Sequence, residues 1–513
     1  MEVFAQSGDP APHHQGAHPH LGPHLHPHHG VISRLTGQAQ PWFGEHRGPQ
    51  RAPRPPTEER TTFRDLVDRV ARRSPARLAV LVFLAVIAFF TLLLSAPWAT
   101  TSGHATSFVN ALFTAVSAVC VTGLTVVDTG TYWSMYGLVV IMIAIKVGGF
   151  GVMTLASILG LAVSRRIGLT QKILTASETK TDRLGEVGSL IRVVIITTTT
   201  LELAVAAMLF PRFMALSEHA GQAAWHSLFY GISAFNNAGF VPTPDGLVPH
   251  VGDWLLDLPI ILGVFVGALG FPVVLNVIDV WRRRHRGWGR WSLHTKLTIT
   301  TSLCLVLLGW VLIAAMEWTN PATFGGLPGD ERALASLFAG TMPRSAGFRS
   351  VDIYSMNPAT QLFTIALMFV GGGSASTGGG IKVTTLAVML LAIRAEARGD
   401  KDIEAFGKRI PRDTLRIAIA VVFMGATLVF VSSMALLGLT DFSLNQVLFE
   451  VVSAFATCGL STGITPDLPD AGKYLLCALM FVGRIGTMTF GAALAMRDRR
   501  RVVRYPEERP IIG

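Results

Sequence analysis

Long apolar stretches alternate with short polar ones along most of this chain. A hydrocarbon core of roughly 30 Å takes about 20 residues of helix to cross, and eight stretches are long and apolar enough to do so. They lie near residues 77–97, 132–163, 190–211, 254–281, 296–317, 358–394, 414–438 and 473–496. The first has no small-residue cleavage site behind it, so we expect a retained span rather than a signal peptide. The pattern predicts eight membrane spans.

A shorter, half-apolar segment lies between the two spans of each successive pair. Every such segment contains a Leu-Phe pair, then small residues, then a glycine; the four segments are residues 112–124, 228–240, 337–348 and 448–460. Their glycines, at positions 123, 239, 347 and 459, are almost evenly spaced. A repeat of this length indicates a duplicated membrane unit. We therefore expect an all-α polytopic membrane protein with four tandem helix–pore loop–helix repeats around a central ion pore.

The repeats divide the chain into six parts. Residues 1–76 form a His/Pro-rich tail, expected to be cytoplasmic and disordered because its composition cannot bury enough apolar surface to fold. The pore repeats are predicted at residues 77–165, 166–282, 283–410 and 411–500, with a Gly-rich gating loop in the third. Residues 501–513 form a second cytoplasmic tail.

Composition supports a membrane protein. Of 513 residues, 50% are hydrophobic and only 15% are charged, and the mean hydropathy is +0.46, which is more apolar surface than a soluble core could use. The four cysteines show neither disulfide nor metal-binding spacing. We interpret Cys304 and Cys477, which lie in apolar spans, as small buried hydrophobic residues.

Basic residues predict the orientation in the membrane, because short cytoplasmic loops carry an excess of Lys and Arg. They cluster before the first span, between the repeats and after the last span: Arg72, Arg73, Arg77, Arg165, Arg166, Lys172, Lys180, Arg282, Arg283, Arg284, Arg286, Arg290, Arg394, Arg398, Lys401, Lys408, Arg409, Arg412, Arg497, Arg499, Arg500, Arg501 and Arg504. The opposite loops carry mainly aspartates, including Asp128, Asp245 and Asp352. We expect a multi-pass protein of the cell membrane with both termini cytoplasmic, and an acidic outer rim that concentrates cations.

The four glycine segments have the composition of an ion selectivity filter. Backbone carbonyls can replace the hydration shell of an alkali cation where several short strands converge, and glycine permits the positive φ and close approach that this requires. The candidate filter residues, whose carbonyls would hold K⁺, are Val121, Thr122, Gly123, Asn237, Ala238, Gly239, Ser345, Ala346, Gly347, Thr457, Cys458 and Gly459. Short helices near residues 107–119, 223–235, 332–342 and 444–456 would aim their negative ends at the ion. The alternative interpretation, ordinary helix packing through small residues, does not explain four aligned copies.

A glycine-rich run interrupts the sixth span. Irregular backbone at membrane depth is tolerated only where it is buried in protein or lines a wet cavity, so this run is a candidate mobile gate. The candidate gate residues are Gly371, Gly372, Gly373, Ser374, Ala375, Ser376, Thr377, Gly378, Gly379, Gly380 and Lys382, together with Arg484 of the last span. The three hydroxyl side chains could hydrate ions. Ile381 separates Gly380 from Lys382, which excludes a phosphate-binding Walker motif, and a plain glycine hinge remains the alternative.

Among the charged residues inside predicted spans, three stand out: Lys146, Glu202 and Arg484. Each costs roughly 2.5–3.5 kcal/mol at the bilayer centre unless it is paired or hydrated. Arg484 cannot be discharged, so beside a pore it would be a permanent barrier to cations; a structural salt bridge is the alternative. Glu202 is the expected partner of Lys146.

These motifs together resemble the membrane subunits of the Trk/Ktr/HKT superfamily of potassium transporters. The resemblance rests on the four pore glycines, the Gly-rich run 371–382 and the Gly-Arg-Ile-Gly of the last span, and it covers about residues 77–500. With no span before the first repeat, the chain is most similar to the eight-span Ktr type. Lys146 before Gly148-Gly149, and Ala375 with Gly378, depart from the usual family pattern.

The resemblance implies K⁺ uptake, passive or aided by Na⁺, by a homodimer with one pore per subunit. It also implies a cytoplasmic ring of RCK-type subunits that binds ATP or ADP and gates the pore. No organic cofactor in this chain and no nucleic-acid partner are expected. The alternatives are a Na⁺-permeable transporter of the same fold, a membrane-embedded enzyme and a scaffold; we expect no enzyme, because no His-Glu-x-x-His, Gly-x-Ser-x-Gly or paired intramembrane aspartates occur.

Overall fold

The computed structural model describes residues 75–172, 183–282 and 288–486. All of them belong to one compact unit of the chain, residues 61–513. The two predicted tails lie almost wholly outside the described residues. So do many of the basic residues that predict orientation: Arg72, Arg73, Lys180, Arg283, Arg284, Arg286, Arg497, Arg499, Arg500, Arg501 and Arg504.

Helices dominate the described part of the chain, which contains fifteen α-helices. In chain order they are α1 (Pro75–Leu94), α2 (Phe108–Val119), α3 (Thr129–Tyr132), α4 (Met135–Lys172), α5 (Arg183–Leu216), α6 (Ala220–Phe235), α7 (Trp254–Leu269), α8 (Phe271–Arg282), α9 (Leu293–Glu317), α10 (Gly329–Thr341), α11 (Pro358–Phe369), α12 (Val383–Arg398), α13 (Arg412–Leu439), α14 (Leu444–Phe455) and α15 (Asp470–Phe481). A π-helical turn, Val482–Gly486, follows α15. The predicted all-α class is confirmed.

The predicted spans are not all straight helices. Four helical stretches within the described residues are long and apolar enough to cross a membrane: Met135–Leu155, Ile191–Leu216, Leu293–Glu317 and Arg412–Leu439. The fourth predicted span is instead the pair α7 and α8, which meet at an angle of 97°. Gly270 lies between them with φ of 93°, outside the helical range. The sixth predicted span is broken between Phe369 and Val383, as the glycines predict.

A small β-hairpin is the exception to the helical prediction. Ile403–Ala405 pairs antiparallel with Lys408–Ile410. Phe406 and Gly407 form the two-residue turn, with φ of 51° and 72°. Two successive positive φ values match the turns that suit right-twisted hairpins. The sequence hid this turn because phenylalanine is unusual in a left-handed conformation.

The four short helices α2, α6, α10 and α14 form the centre of the molecule. The phenylalanine of each repeated Leu-Phe pair is at most 1% exposed; these side chains are Phe113, Phe229, Phe338 and Phe449. In a membrane protein such side chains stabilise the fold through close van der Waals packing between helices. The phenylalanine of each Leu-Phe pair thus packs its short helix into the core.

Two further predictions concern the cysteines. Cys477 is buried, as expected, but Cys304 is exposed on the surface of α9. The apolar composition of α9 misled this prediction, because a helix in a membrane protein is apolar on its outer face as well as on its inner one.

Candidate ion pathway

Each of the four short helices ends shortly before its three filter candidates, close to the bounds that the sequence predicts. The chain then turns left-handed at the first filter candidate of every segment: φ is 54° at Val121, 59° at Asn237, 69° at Ser345 and 46° at Thr457. The glycines are also left-handed, with φ of 93°, 67°, 74° and 94° in chain order. Each segment therefore has a non-glycine residue and, two positions later, a glycine in the left-handed conformation. This shared backbone shows that the four segments have one conformation.

The residue before each glycine presents an unused carbonyl. Among the described residues, none donates a hydrogen bond to the carbonyl oxygens of Thr122, Ala238, Ala346 or Cys458. All four residues are 0% exposed. Buried carbonyls are normally paired, so four unpaired ones at equivalent positions are available to a cation.

The four glycines form a closed ring in chain order. A Cβ built on Gly123 would lie 3.2 Å from the Cα of Gly239, and one on Gly239 would lie 2.9 Å from the Cα of Gly347. The series continues from Gly347 to Gly459 at 3.2 Å and returns from Gly459 to Gly123 at 3.0 Å. At each step the carbonyl oxygen before the next glycine is equally close or closer. A side chain at any of the four positions would therefore collide with the carbonyl group of the next segment and displace it.

Hydroxyl groups six residues before the glycines support the ring. Ser117 Oγ accepts the N–H of Gly123 at 3.1 Å, and Ser453 Oγ accepts the N–H of Gly459 at 3.1 Å. Ser233 Oγ donates to the carbonyl of Phe240 at 2.8 Å. The signal for these supports was present in the sequence, since a serine or threonine occupies this position in every repeat.

A cavity of about 310 Å³ opens on one side of the ring. All four glycines line it, together with Asp128 and Asp245 from the loops that we predict to be extracellular. Arg349, which is exposed, also lines it. Two aspartates of the predicted acidic rim therefore lie beside the ring, together with a guanidinium that the sequence analysis did not predict.

The glycine-rich run lies on the ring as a closed loop. Its two ends meet where the N–H of Gly371 donates to the carbonyl of Ile381 at 2.9 Å. Two further bonds fix it to the break between α7 and α8: the N–H of Gly373 donates to Ala268 at 2.7 Å, and the N–H of Phe271 donates to Ala375 at 3.1 Å.

Hydrogen bonds join this loop to the second and third glycine segments. The N–H of Gly379 donates to Ser345 Oγ at 2.8 Å, and Ser345 Oγ donates in turn to the carbonyl of Thr457 at 2.8 Å. The Thr377 hydroxyl and the side-chain amide of Asn237 are 3.0 Å apart. The loop thus bonds to the second and third segments and lies directly against the fourth, since a Cβ built on Gly379 would collide with Thr457 Oγ1.

The loop hydroxyls, predicted as groups that could hydrate ions, all bond to protein groups in this conformation. Ser376 Oγ donates to the carbonyl of Gly373 at 2.7 Å, and Ser374 Oγ lies 3.2 Å from Thr384 Oγ1. Lys382 Nζ donates to the carbonyl of Gly378 at 2.8 Å. These bonds hold the loop in one compact shape.

Arg484 reaches the same loop from the last span. It is 1% exposed, and one terminal nitrogen donates to the carbonyl of Thr377. Its Nε and its other terminal nitrogen have no hydrogen-bond partner, and no carboxylate among the described residues pairs with it. The structural salt bridge, our alternative interpretation, is therefore not present in the described part of the chain.

Lys146 and Glu202 do pair, as expected, across α4 and α5. The described structure also buries charged groups that the sequence analysis missed: Asp257, Glu317, Arg344 and Glu450. The sequence does not predict that these residues are buried. Arg344 lies in a glycine segment and Glu450 in a short helix, and Asp257 and Glu317 lie near the ends of long helices. Glu450 Oε1 accepts from the N–H of Thr462 at 3.1 Å, and Oε2 accepts from Thr465 Oγ1 at 2.9 Å.

Comparison with known proteins gives a consistent result. Residues 78–499 match the family TrkH, described as cation transport protein. Potassium uptake protein B of the Ktr system of Bacillus subtilis is 37% identical over 458 residues, which are 88% of this chain and all of the relative. Potassium/sodium uptake protein NtpJ of Enterococcus hirae is 32% identical over 87% of this chain and 99% of the relative. The crystal structure of the potassium transporter TrkH from Vibrio parahaemolyticus has the same fold, with a TM-score of 0.60, 17% identity and coverage of 80% of this chain and 83% of that one.

Proposed function

This chain belongs to the TrkH family of cation transport proteins, and we propose that it is the K⁺-translocating membrane subunit of a Ktr-type potassium uptake system. The observation that carries the proposal is the closed ring of four glycines with four unpaired carbonyls. The relatives are named as transport proteins and not as enzymes.

The ring supplies what selection of K⁺ requires. A cation that enters it exchanges water oxygens for fixed carbonyl oxygens, and the carboxyl ends of four short helices add negative potential. Glycine at every one of the four ring positions leaves the centre free of side chains, which favours K⁺ over the smaller Na⁺. The relative named as a potassium/sodium transporter keeps Na⁺ permeation or Na⁺ coupling as the second candidate.

The Gly-rich loop and Arg484 are the proposed gate. The loop is buried against three of the four filter segments, and the guanidinium adds a fixed positive charge to it. An ion that has passed the ring would meet the backbone of the Gly-rich loop and then the positive charge of Arg484. Transport would require the loop to leave Ser345 and Asn237 and the guanidinium to release Thr377.

Rubidium uptake tests the proposed function. The purified chain in proteoliposomes should take up ⁸⁶Rb⁺, and unlabelled K⁺ should compete better than Na⁺. Equal competition by Na⁺ would favour the second candidate. A liposome that accumulates no more label than an empty one would contradict a translocating subunit.

The assembly follows from the same proposal. We propose a homodimer in the cell membrane. We place both termini in the cytoplasm because the basic loops lie opposite the loops that carry Asp128 and Asp245 in the predicted topology. The regulatory partner would be a cytoplasmic RCK-type ring that binds ATP or ADP. The relative from Bacillus subtilis is named as part of a Ktr system, and a system implies more than one component.

A further inference from the structure

A buried carboxylate connects the second glycine segment, which forms one wall of the ring, to the helices α4 and α5. Glu202 of α5 is 2% exposed. One of its oxygens pairs with the ammonium of Lys146 on α4, and the other accepts a hydrogen bond from Asn236 Nδ2 at 2.8 Å. Lys146 also donates to Thr199 Oγ1 at 3.1 Å. The ion pair is thus extended to the glycine segment of the second repeat.

Asn236 occupies a sensitive place in that segment. It immediately precedes Asn237, where the left-handed backbone begins, and its Nδ2 also donates to the carbonyl of Ile232 in the last turn of α6 at 2.9 Å. On the opposite side, a Cβ at Gly149 would collide with Asn236 Oδ1. Lys146 and Gly149 are three residues apart and therefore share one face of α4. This face of α4 therefore positions Asn236 in two ways. Lys146 acts through Glu202, and Gly149 contacts Asn236 directly.

The surroundings make the charge pair interdependent. An apolar crevice of about 300 Å³ between α4 and α5, lined by Ile143, Val147 and Phe150, reaches both charged residues and Asn236. The Glu202 side chain is 2% exposed and the Lys146 side chain is 39% exposed, so removal of the lysine leaves an uncompensated buried carboxylate, which is more disruptive than removal of both partners. Lys146 therefore compensates the buried charge of Glu202.

The equivalent position of the other repeats shows that this support is local. Arg344 stands there in the third repeat, and its guanidinium donates to Ser302 of α9, at 3.1 Å to the carbonyl and 3.0 Å to Oγ. Cys120 and Ala456 stand there in the first and fourth repeats, without a polar tether of this kind. Among the described residues, side chains thus tether the second and third segments to a neighbouring helix, and an ion pair takes part only at the second segment.

We propose that Lys146 and Glu202 are positioning residues for cation selectivity, acting on the ring through Asn236. This inference rests on the proposed function, since it concerns which cation the ring prefers. Glu202 supplies the acceptor that orients Asn236, and Lys146 supplies the opposite charge that holds the Glu202 carboxylate in place. Neither residue touches the ion.

The test is a double-mutant cycle in the full chain. Lys146→Met leaves a lone buried carboxylate, and Glu202→Gln leaves a lone ammonium while keeping an oxygen for Asn236. Each should narrow the K⁺/Na⁺ preference in ⁸⁶Rb⁺ competition by roughly fivefold, within the range of coupling between contacting residues. The double variant, which is neutral and keeps the acceptor, should return to within about twofold of the unmodified chain.

Two further variants separate positioning from mere stability. Asp253→Asn breaks another ion pair of α5, that of Arg212 with Asp253 (2.5 Å), which lies outside the contacts of the ring, and it should leave the preference unchanged. Gly149→Ala pushes Asn236 from the other side and should narrow the preference without altering any charge. If the charge variants lower thermal stability but keep the preference of the unmodified chain, the pair is only structural and the proposal is wrong.

A binding readout keeps this test independent of transport. Bound K⁺ should raise the unfolding temperature of the purified protein, because a ligand of the folded state stabilises it. The single variants should lose more of the K⁺-dependent rise than of any Na⁺-dependent rise, and the double variant should regain it. Absence of ⁸⁶Rb⁺ uptake by the unmodified chain would contradict the proposed function, whereas equal K⁺-dependent rises in all variants would contradict the positioning role.

Discussion

The carbonyl oxygen of Thr377 accepts a hydrogen bond from the guanidinium of Arg484. Thr377 belongs to the Gly-rich loop and Arg484 to the last span, so residues more than a hundred positions apart meet beside the ring. The loop cannot move away from the glycine segments without breaking this bond, and the arginine cannot move without losing its hydrogen-bonded partner. The two parts of the proposed gate are therefore coupled by direct contact.

The first prediction concerns this gate. Arg484→Ala removes a charge that, at an effective dielectric constant near 20, repels a cation about 4 Å away by ~4 kcal/mol. Deleting about half of residues 371–380 removes the steric part. Each change should raise cation flux in the absence of a partner, and the two effects should not add, because the residues are in contact.

Flux per protein in proteoliposomes, for both single variants and the double, provides the measurement. Size-exclusion chromatography shows whether each variant keeps its assembly state. Unchanged or lower flux in both single variants, with normal assembly, would reduce the loop to a hinge.

The second prediction concerns the first glycine of the ring. Gly123→Ser should narrow the K⁺/Na⁺ preference, because the new side chain would meet the carbonyl of Ala238 and the Cα of Gly239. Its matched control is Gly103→Ser, where φ is also positive, at 70°, but no atom lies within 4 Å of the added Cβ. Both substitutions strain the backbone, and only the first crowds the ring. Competition of ⁸⁶Rb⁺ uptake by K⁺ and Na⁺ checks the difference; equal effects would indicate backbone strain alone.

The third prediction concerns the charge at the mouth. Arg349→Gln should increase cation uptake at low ionic strength by about two- to threefold, since a guanidinium beside Asp128 and Asp245 partly cancels their attraction for cations. The effect should fade near 0.15 M salt, where the Debye length falls to about 8 Å. Uptake measured over a salt series checks this. Arg416→Gln, at an exposed arginine of α13 (side chain 83% exposed) that does not line the mouth, serves as control.

The fourth prediction concerns a buried acid behind the ring. Glu450 binds the segment that follows Gly459 through Ser461, the N–H of Thr462 and Thr465. Glu450→Ala leaves these donors without an acceptor at about 1–3 kcal/mol for each buried group, so the unfolding temperature should fall clearly. Glu450→Gln keeps one acceptor oxygen and should fall less. Equal stability of the two variants would mean that the hydrogen bonds contribute little.

The fifth prediction concerns the regulatory partner. Pulldown of the chain from native membranes at modest salt should recover a soluble nucleotide-binding subunit, and higher salt should release it if the basic loops carry the contact. Flux from the purified chain should not respond to ATP or ADP. A nucleotide response without any partner would overturn this assignment.

The sequence was most informative where the four repeats could be compared. The Leu-Phe pairs, the small residues and the glycines predicted four short helices and four equivalent turns, because each feature is local and recurs. The interruption of the sixth span was also visible, since so many glycines cannot continue a helix in a membrane.

Long-range and context-dependent features were not visible. The sharp bend at Gly270 depends on a positive φ that a single glycine in an apolar run does not reveal. Arg344 and Glu450 look like ordinary polar residues of loops and short helices, and only the fold buries them. The order of the ring, in which Gly459 lies beside Gly123, is a property of chain closure and has no signature in either segment alone.

The closed ring has an evolutionary consequence. In a channel assembled from four copies of one subunit, every substitution changes all four walls together. Here one gene encodes the four walls separately, so Gly123 can change while Gly239, Gly347 and Gly459 stay as they are. Cation preference can therefore change in intermediate stages, and the second segment can be supported by an ion pair that includes Lys146 of the first repeat without any change to the other three segments.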